Sequence, residues 1–345
     1  MLKTVKIGNL ILGDKREIYV QSMLSVRRDD VEGAVLQAKK LESAGCRILR
    51  LAVPDRDSVN TVYSLKENVS MPIVADIHFD YRLALECVAA GIDKIRINPG
   101  NIGDDEKVRA VAHACSAAGV PIRIGVNGGS LEKNILAKYG GPTEKALVES
   151  ALYHVSLLEK FDFDDIVISI KSSDVKTMIN AYRRLASLCN YPLHLGVTEA
   201  GTYKMGVIKN AIGIGALLTD GIGDTIRVSL TADPVLEVKA GYDILRALGL
   251  CNTNVQFISC PTCGRCQIDL IPLAERIEAA LDGCKKNIKV AVMGCAVNGP
   301  GEAREADIGI AGGRDEGLIF KKGEILRKVP YDRLFDEFMS EIDKL

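Results

Sequence analysis

Two short stretches hold the residues best suited to metal or redox chemistry. They are Cys260-Pro-Thr-Cys263-Gly-Arg-Cys266 and Gly294-Cys295-Ala-Val-Asn298-Gly-Pro-Gly301-Glu302. A Cys-x2-Cys pair places two thiolates on one metal centre. Cys295 is distant in sequence, so the fold must bring it to the pair. Gly and Pro in both stretches suit backbone that wraps closely around a bound object. No histidine follows His194, which excludes a zinc site of two Cys and two His in this segment. An all-cysteine zinc site would draw in Cys266 or Cys284. An iron–sulfur cluster also takes thiolates, usually four. Three thiolates with one non-cysteine position would leave one iron available for chemistry. The spacing leaves zinc and cluster both open. The Cys-x3-Cys-x2-Cys spacing of radical enzymes that use S-adenosylmethionine is absent. A catalytic disulfide lacks a neighbouring group to activate either thiol.

A second set of candidates is basic. Arg50, Arg96, Arg123, Lys171 and Arg227 lie in or at the ends of five apolar, strand-like runs. Arg96 and Asn98 are two residues apart and share a face, as do Arg123 and Asn127 with Gly125 between them. Ser169, Glu199 and Ser229 stand at further strand ends. A buried cation without an anion is costly. Any one of these residues has an internal ion pair as its ordinary explanation. Five on different strands, with few strand-end acids, call for an anionic ligand. Phosphate or diphosphate fits, because arginine holds it through paired charge-assisted hydrogen bonds. Asn127-Gly-Gly-Ser130 offers further backbone N–H groups for phosphate oxygens, but as a motif it is weak and a simple loop is the better reading. Asp76, before Ile77-His78, either orients a basic residue or enters the chemistry. His78 is a proton carrier or a hydrogen-bonded structural residue; His113, His154 and His194 read as structural or solvated.

The elements that must position these residues repeat a theme of apolar strand, polar or glycine loop, and amphipathic helix. The expected strands are Tyr19–Leu24, Arg47–Val53, Ile73–Phe79, Lys94–Asn98, Ile122–Val126, Ile166–Ile170, Leu193–Val197 and Thr225–Leu230. Eight strands, each followed by a helix, predict an α/β chain with a (β/α)8 TIM barrel, whose sites lie at the C-terminal strand ends. A doubly wound open sheet is the alternative. A hairpin over residues 4–20, turning at Gly13-Asp14, precedes the barrel. Residues 1–250 form the barrel domain in this reading. Residues 251–345 form a small α+β domain carrying the metal ligands. It has strands over Val255–Ser259 and Ile288–Met293, a helix over Gln267–Leu281, a strand meander over Ile308–Val329 and a terminal helix over Tyr331–Lys344.

With 345 residues, 47% hydrophobic and 26% charged, the chain has the composition of a soluble globular protein. A net charge of −1 gives no general pull toward nucleic acid or anionic membrane. No apolar run spans a bilayer, and Met1-Leu-Lys-Thr-Val-Lys lacks a signal peptide's apolar core. Ten cysteines without an export signal predict a reducing cytoplasm. Cys46, Cys87, Cys115 and Cys189 read as buried, unpaired thiols.

The cysteine pattern and the strand-end residues together resemble a known family. Cys260-x2-Cys263 followed by Cys295-x6-Glu302 within GCAVNGPGEA is similar to bacterial 4-hydroxy-3-methylbut-2-enyl diphosphate synthases of the non-mevalonate isoprenoid pathway. So are the barrel stretches VQSML, LRLAVP, ADIHFD, KIRINPGN, IRIGVNGGS, SIKSSD and GVTEAG. The match runs over nearly the whole chain, in the two-domain form without the extra middle domain of plant-type members. The resemblance implies a [4Fe–4S] cluster held by Cys260, Cys263, Cys295 and Glu302, with Cys266 unused. It implies 2-C-methyl-D-erythritol 2,4-cyclodiphosphate as substrate, opened reductively with two electrons from flavodoxin or ferredoxin. It assigns substrate contacts to Arg50, Arg96, Asn98, Arg123, Asn127, Lys171, Glu199, Arg227 and Ser229. Glu199 or Glu302 would supply a proton. A homodimer is implied, with each site formed by one subunit's barrel and its partner's cluster domain. Two other classes rest on the residues alone: a barrel transferase for a phosphorylated or pterin-like substrate with a zinc-stabilised appendage, and a zinc-ribbon binding module fused to a barrel.

Overall fold

The computed structural model describes residues 2–14, 17–251, 255–284, 286–295, 301 and 303–345. They fall into two units, Met1–Leu248 and Gly249–Leu345. The first opens with a hairpin of β1 (Val5–Ile7) and β2 (Leu10–Leu12). Eight strands follow, alternating with helices: β3 (Tyr19–Met23), β4 (Ile48–Ala52), β5 (Ile73–Asp76), β6 (Lys94–Ile97), β7 (Ile122–Asn127), β8 (Ile166–Lys171), β9 (His194–Leu195) and β10 (Thr225–Ile226). They pair in parallel in the order β8-β7-β6-β5-β4-β3-β10-β9. A bridge from Ile168 to Leu193, beside β9, brings the two ends of the sheet together. The expected (β/α)8 barrel is therefore present.

The sequence forms this ring for identifiable reasons. Strands such as Ile122–Asn127 and Ile166–Lys171 place β-branched residues toward the helices on every second position. Asp30, Asp80, Asp104, Thr143, Asp174 and Asp233 each accept an N–H from the first turn of the helix that follows, which satisfies an otherwise orphaned donor. Gly119 ends one helix at a φ of 64°, a left-handed conformation that glycine adopts without strain.

Three expectations for the strands of the first unit need correction. The hairpin turns at Gly8-Asn9, because Ile7 pairs with Leu10 across a two-residue loop. Gly8 at φ 56° supplies the left-handed first position of such a turn. Tyr19–Met23 joins the barrel instead. The third strand stops at Asp76 rather than Phe79, whose ring is exposed. The seventh and eighth strands shrink to two residues each, so Arg227 and Ser229 stand in the loop beyond β10.

The second unit is a five-stranded mixed sheet in the order β11 (Val255–Ser259), β12 (Ile288–Met293), β13 (Ile308–Gly312), β14 (Glu316–Lys321) and β15 (Glu324–Pro330). The first three are parallel and the last two antiparallel. Helices Leu270–Ala280 and Leu334–Asp343 share one core with Val290, Val292, Ile310 and Ile319. Both helices are shorter than expected, and a 3-10 turn, Tyr331–Arg333, precedes the last. The alternate residues Ala291, Met293, Ala311 and Phe320 build a second, smaller cluster, as the period of two requires. Cys46, Cys87 and Cys115 are buried free thiols, whereas Cys189 is only partly buried.

Gly309 pairs with Phe320, and the Phe320 ring occupies the space a side chain at 309 would need. Gly309→Val should therefore lower stability by roughly 1–3 kcal/mol through overpacking. An unchanged urea midpoint would show that the ring moves aside freely.

Candidate functional site

The barrel interior is built on a carboxylate. Asp76 ends β5 and is buried. Its Oδ2 accepts from Arg50 Nη2 on β4 at 2.5 Å, and its Oδ1 from Arg96 Nη1 on β6 at 3.0 Å. His78 Nε2 lies 3.6 Å from Oδ2. Burial by itself would raise the Asp76 carboxyl's pKa. The charges of Arg50 and Arg96, the Arg50 hydrogen bond and His78 outweigh it and hold the group well below the usual carboxylate range. Of the two roles open to Asp76, the structure shows the orienting one: it aligns two guanidinium groups. Arg96 also donates to the Gly125 carbonyl at 3.1 Å.

Arg123 of β7 is 1% exposed, and its Nη1 donates to Gln21 Oε1 of β3 at 3.2 Å. β7 and β3 lie across the ring from each other, so both side chains point into the barrel. On the β10 side, Glu237 from helix Pro234–Ala247 holds three groups. It faces Arg227 Nη2 at 3.5 Å, accepts the Leu230 N–H at 2.9 Å and accepts the Ser22 hydroxyl at 3.1 Å. Lys171 ends β8. Burial, then the positive charges of Arg227, Arg50, Arg123 and Arg96, push its pKa well below the usual lysine value. Lys171 thus lies among the cations that the other strands contribute.

The surplus of positive charge is the informative feature. Arg50, Lys94, Arg96, Arg123, Lys171 and Arg227 face two buried carboxylates, Asp76 and Glu237. Arg50 Nε, Arg123 Nε, Arg227 Nε, Lys94 Nζ and Gln21 Nε2 are buried without a hydrogen bond among the described residues. Buried donors of this kind are normally satisfied, and arginine does not shed its proton. An anion with several oxygens would satisfy them. Glycines keep the space open. A Cβ at Gly125 would collide with the Arg96 guanidinium, and one at Gly196 with the Arg227 carbonyl and the Lys171 ammonium.

The other predicted residues take distinct places. Asn98 is buried just past β6, and its Oδ1 accepts the Gly100 N–H at 3.3 Å, so part of its capacity caps the following 3-10 turn. Asn127 ends β7 as the register partner of Lys171. Ser229 is partly buried, and its carbonyl accepts from Asn210 Nδ2 at 3.4 Å. Glu199 is exposed with a φ of 52°, an uncommon backbone state that often marks functional loops. Lys94, Gln21 and Glu237 escaped the sequence reading. Lys94 carried a signal, being in phase with Arg96 and Asn98. Glu237 sat in a helix pattern where acids are usually solvated.

In the second unit, parallel pairing of β11 and β12 carries Cys260 and Cys295 to the same sheet edge. Ser259 pairs with Val292, Cys260 follows the one, and Cys295 lies three residues past the other. The Gly294 N–H donates to Cys260 Sγ at 3.2 Å. Cys263 is exposed, and hydrogen bonds from the Arg265 backbone and side chain lower its thiol pKa. Cys266 is turned inward: its Sγ donates to its own loop at the Ile268 carbonyl, 3.2 Å away, and fills the space above Gly294. Glu302, Asn298 and Pro300 lie outside the described residues. Among the described residues no three His, Cys, Asp or Glu side chains are drawn close enough to hold a metal ion. Soft thiolates with N–H donors to sulfur nevertheless fit the donor chemistry of an iron–sulfur cluster.

Asp76 is depressed in the folded state. Its stabilising contribution is thus present at every pH above the unfolded value near 4, and is lost as pH falls below it. Asp76→Asn should cost about 3–5 kcal/mol at pH 7, because it leaves two buried cations without their partner. The gap from wild type, read from urea midpoints, should narrow only below about pH 4.

Comparison with known proteins accounts for both units. Residues 2–242 match the family model described as the GcpE TIM-barrel domain, and residues 256–344 the GcpE protein C-terminal domain. The chain is 59% identical over 343 residues to the 4-hydroxy-3-methylbut-2-en-1-yl diphosphate synthase (flavodoxin) of Clostridium perfringens, covering 99% of this chain and 98% of that one. It is 55% identical over 343 residues to the protein of that name from Geobacillus thermodenitrificans, covering 99% and 92%. Among solved structures it is similar to a dihydropteroate synthase from Stenotrophomonas maltophilia, with a TM-score of 0.53 and 17% identity over 71% of this chain and 97% of that one. A 3-dehydroquinate dehydratase from Geobacillus kaustophilus gives 0.51 and 16% over 72% and 99%. At those identities the likeness is one of barrel fold alone. The two family models and the full-length relatives agree: this chain belongs to the GcpE family.

Proposed function

We propose that the protein is a 4-hydroxy-3-methylbut-2-en-1-yl diphosphate synthase. It opens the ring of 2-C-methyl-D-erythritol 2,4-cyclodiphosphate reductively, with loss of water, on two electrons from flavodoxin or ferredoxin. The observation that carries this reading is the excess of buried cations over carboxylates inside the barrel of a GcpE-family chain. The named relatives support the reaction.

In this reading residues 1–250 bind the substrate and residues 251–345 hold a [4Fe–4S] cluster through Cys260, Cys263, Cys295 and Glu302. When bound, such a cluster supplies electrons and an iron with Lewis-acid character. Arg50, Arg96, Arg123, Lys171 and Arg227 bind the diphosphate. Asp76 and Glu237 act through them by fixing where the guanidinium groups point. Asn98, Asn127 and Ser229 add hydrogen bonds, and the enclosed barrel interior fixes which ring C–O bond is presented. Glu199, or Glu302 once displaced from the cluster, supplies the proton for the departing oxygen. The protein works as a cytoplasmic homodimer. No helix among the described residues is long and apolar enough to cross a membrane.

The decisive experiment measures iron, sulfide and zinc in anaerobically purified protein, together with consumption of the cyclodiphosphate under reduced flavodoxin. About four irons and four sulfides per chain are expected; stoichiometric zinc would restore the zinc-stabilised alternative. Cys260→Ser, Cys263→Ser and Cys295→Ser should each lose iron, while Cys266→Ser, whose thiol bonds to its own loop, keeps it. Arg96→Ala, Arg123→Ala and Arg227→Ala should retain iron and lose cyclodiphosphate affinity by roughly 1.5–3 kcal/mol per charge-assisted bond. Undiminished binding by all three would make the cations an internal network and place the site elsewhere.

A further inference from the structure

Lys94 opens β6 and is 0% exposed. Its Nζ makes no hydrogen bond among the described residues. It shares the phase of Arg96, whose guanidinium lies inside the ring on Asp76. Its charged surroundings come from several strands. Arg50 of β4 and Arg123 of β7 act on it as like charges, and His194 of β9 lies close enough to respond to a charge at Lys94. Asp76 of β5 is already engaged by Arg50 and Arg96, and Lys171 of β8 adds another cation to the same interior. An ammonium with three unmatched donors, no water exposure and cationic neighbours is far costlier than the neutral amine. The arginines around it have no such option, because guanidinium keeps its proton. Burial first, then Arg123 and Arg50, accordingly push the Lys94 pKa well below the usual lysine value.

We propose that Lys94 is uncharged in the empty barrel and takes up a proton when the diphosphate ligand enters, so that binding itself completes the positive charge of the site. The inference rests on reading the barrel as a diphosphate site. The charge of the arriving anion offsets the repulsion from Arg50 and Arg123 and favours the ammonium form. Lys94 is thereby a positioning residue: beneath Arg96 it tightens the site only once the site is filled.

The test is calorimetric titration of the oxidised holoenzyme with 2-C-methyl-D-erythritol 2,4-cyclodiphosphate, without electron donor so that no turnover occurs. The two phosphoryl groups of this ligand each carry one strongly acidic proton and stay ionised near neutrality. Heats in two buffers of different ionisation enthalpy then count the protons the protein absorbs. The wild type should absorb protons, and Lys94→Met should absorb about one fewer per site. Lys171 is unchanged in both proteins, so the difference reads Lys94. Proton uptake also makes wild-type affinity fall as pH rises, and the fall should be shallower in Lys94→Met by about tenfold per pH unit. Lys94→Gln gives the same comparison should the methionine variant fail to fold. Equal proton uptake in wild type and variant overturns the inference while leaving the diphosphate reading intact. Absence of any uptake by the wild type overturns it without a variant. No binding of the cyclodiphosphate at all overturns both.

Discussion

The barrel depends on one electrostatic imbalance. Its interior collects six basic side chains and gives them two carboxylates. In a medium of low dielectric such charges repel strongly and are poorly solvated. Asp76 and Glu237 make the arrangement tolerable by dividing the work. Asp76 binds the pair from β4 and β6, and Glu237 ties Arg227 to β3 and to the loop after β10. Neither carboxylate is needed to touch a ligand. Each keeps donors aimed at a common volume, a preorganisation suited to charge-assisted binding of a compact polyanion.

Much of this was legible in the sequence. The alternation in Lys-Ile-Arg-Ile-Asn and Ile-Arg-Ile-Gly-Val places the polar residues on one face and the branched ones on the other, and the ring follows from eight repeats of that theme. What was not legible depended on partners distant in the chain. Asp76 is silent about its role until β4 and β6 flank it. Glu237 occupies the fourth position of a helix that begins at Pro234, where an acid ordinarily meets solvent and the helix dipole. Strand length was overread at Leu193–Val197 and Thr225–Leu230. There the chain leaves the ladder after two residues, although the hydrophobic pattern continues. At the N-terminus the hairpin turns at Gly8-Asn9 rather than the expected Gly13-Asp14, because that pair gives the two-residue hairpin loop.

The cysteine unit teaches a related lesson. Spacing alone could not separate Cys266 from its neighbours, since three cysteines in seven residues all look available. The fold distinguishes them by direction. Cys266 is spent on the Ile268 carbonyl and on packing against Gly294, while Cys260 receives an N–H from Gly294. The proximity of the Cys260 and Cys295 loops comes from the parallel β11–β12 pair, a property of topology rather than of any motif.

The glycine at 125 carries a consequence for how this barrel can change over time. Its missing side chain is the volume in which the Arg96 guanidinium lies. Barrel interiors are ordinarily packed with branched apolar residues that can be exchanged for one another at small cost. Here the wall and its cation are interlocked. Enlarging Gly125 evicts Arg96, and shrinking Arg96 leaves a polar void beside Asp76. A substitution at either position therefore disturbs the other. The usual routes to added stability, such as helix caps, loop prolines and surface charges, lie on the outer helices and loops rather than in this interlocked layer.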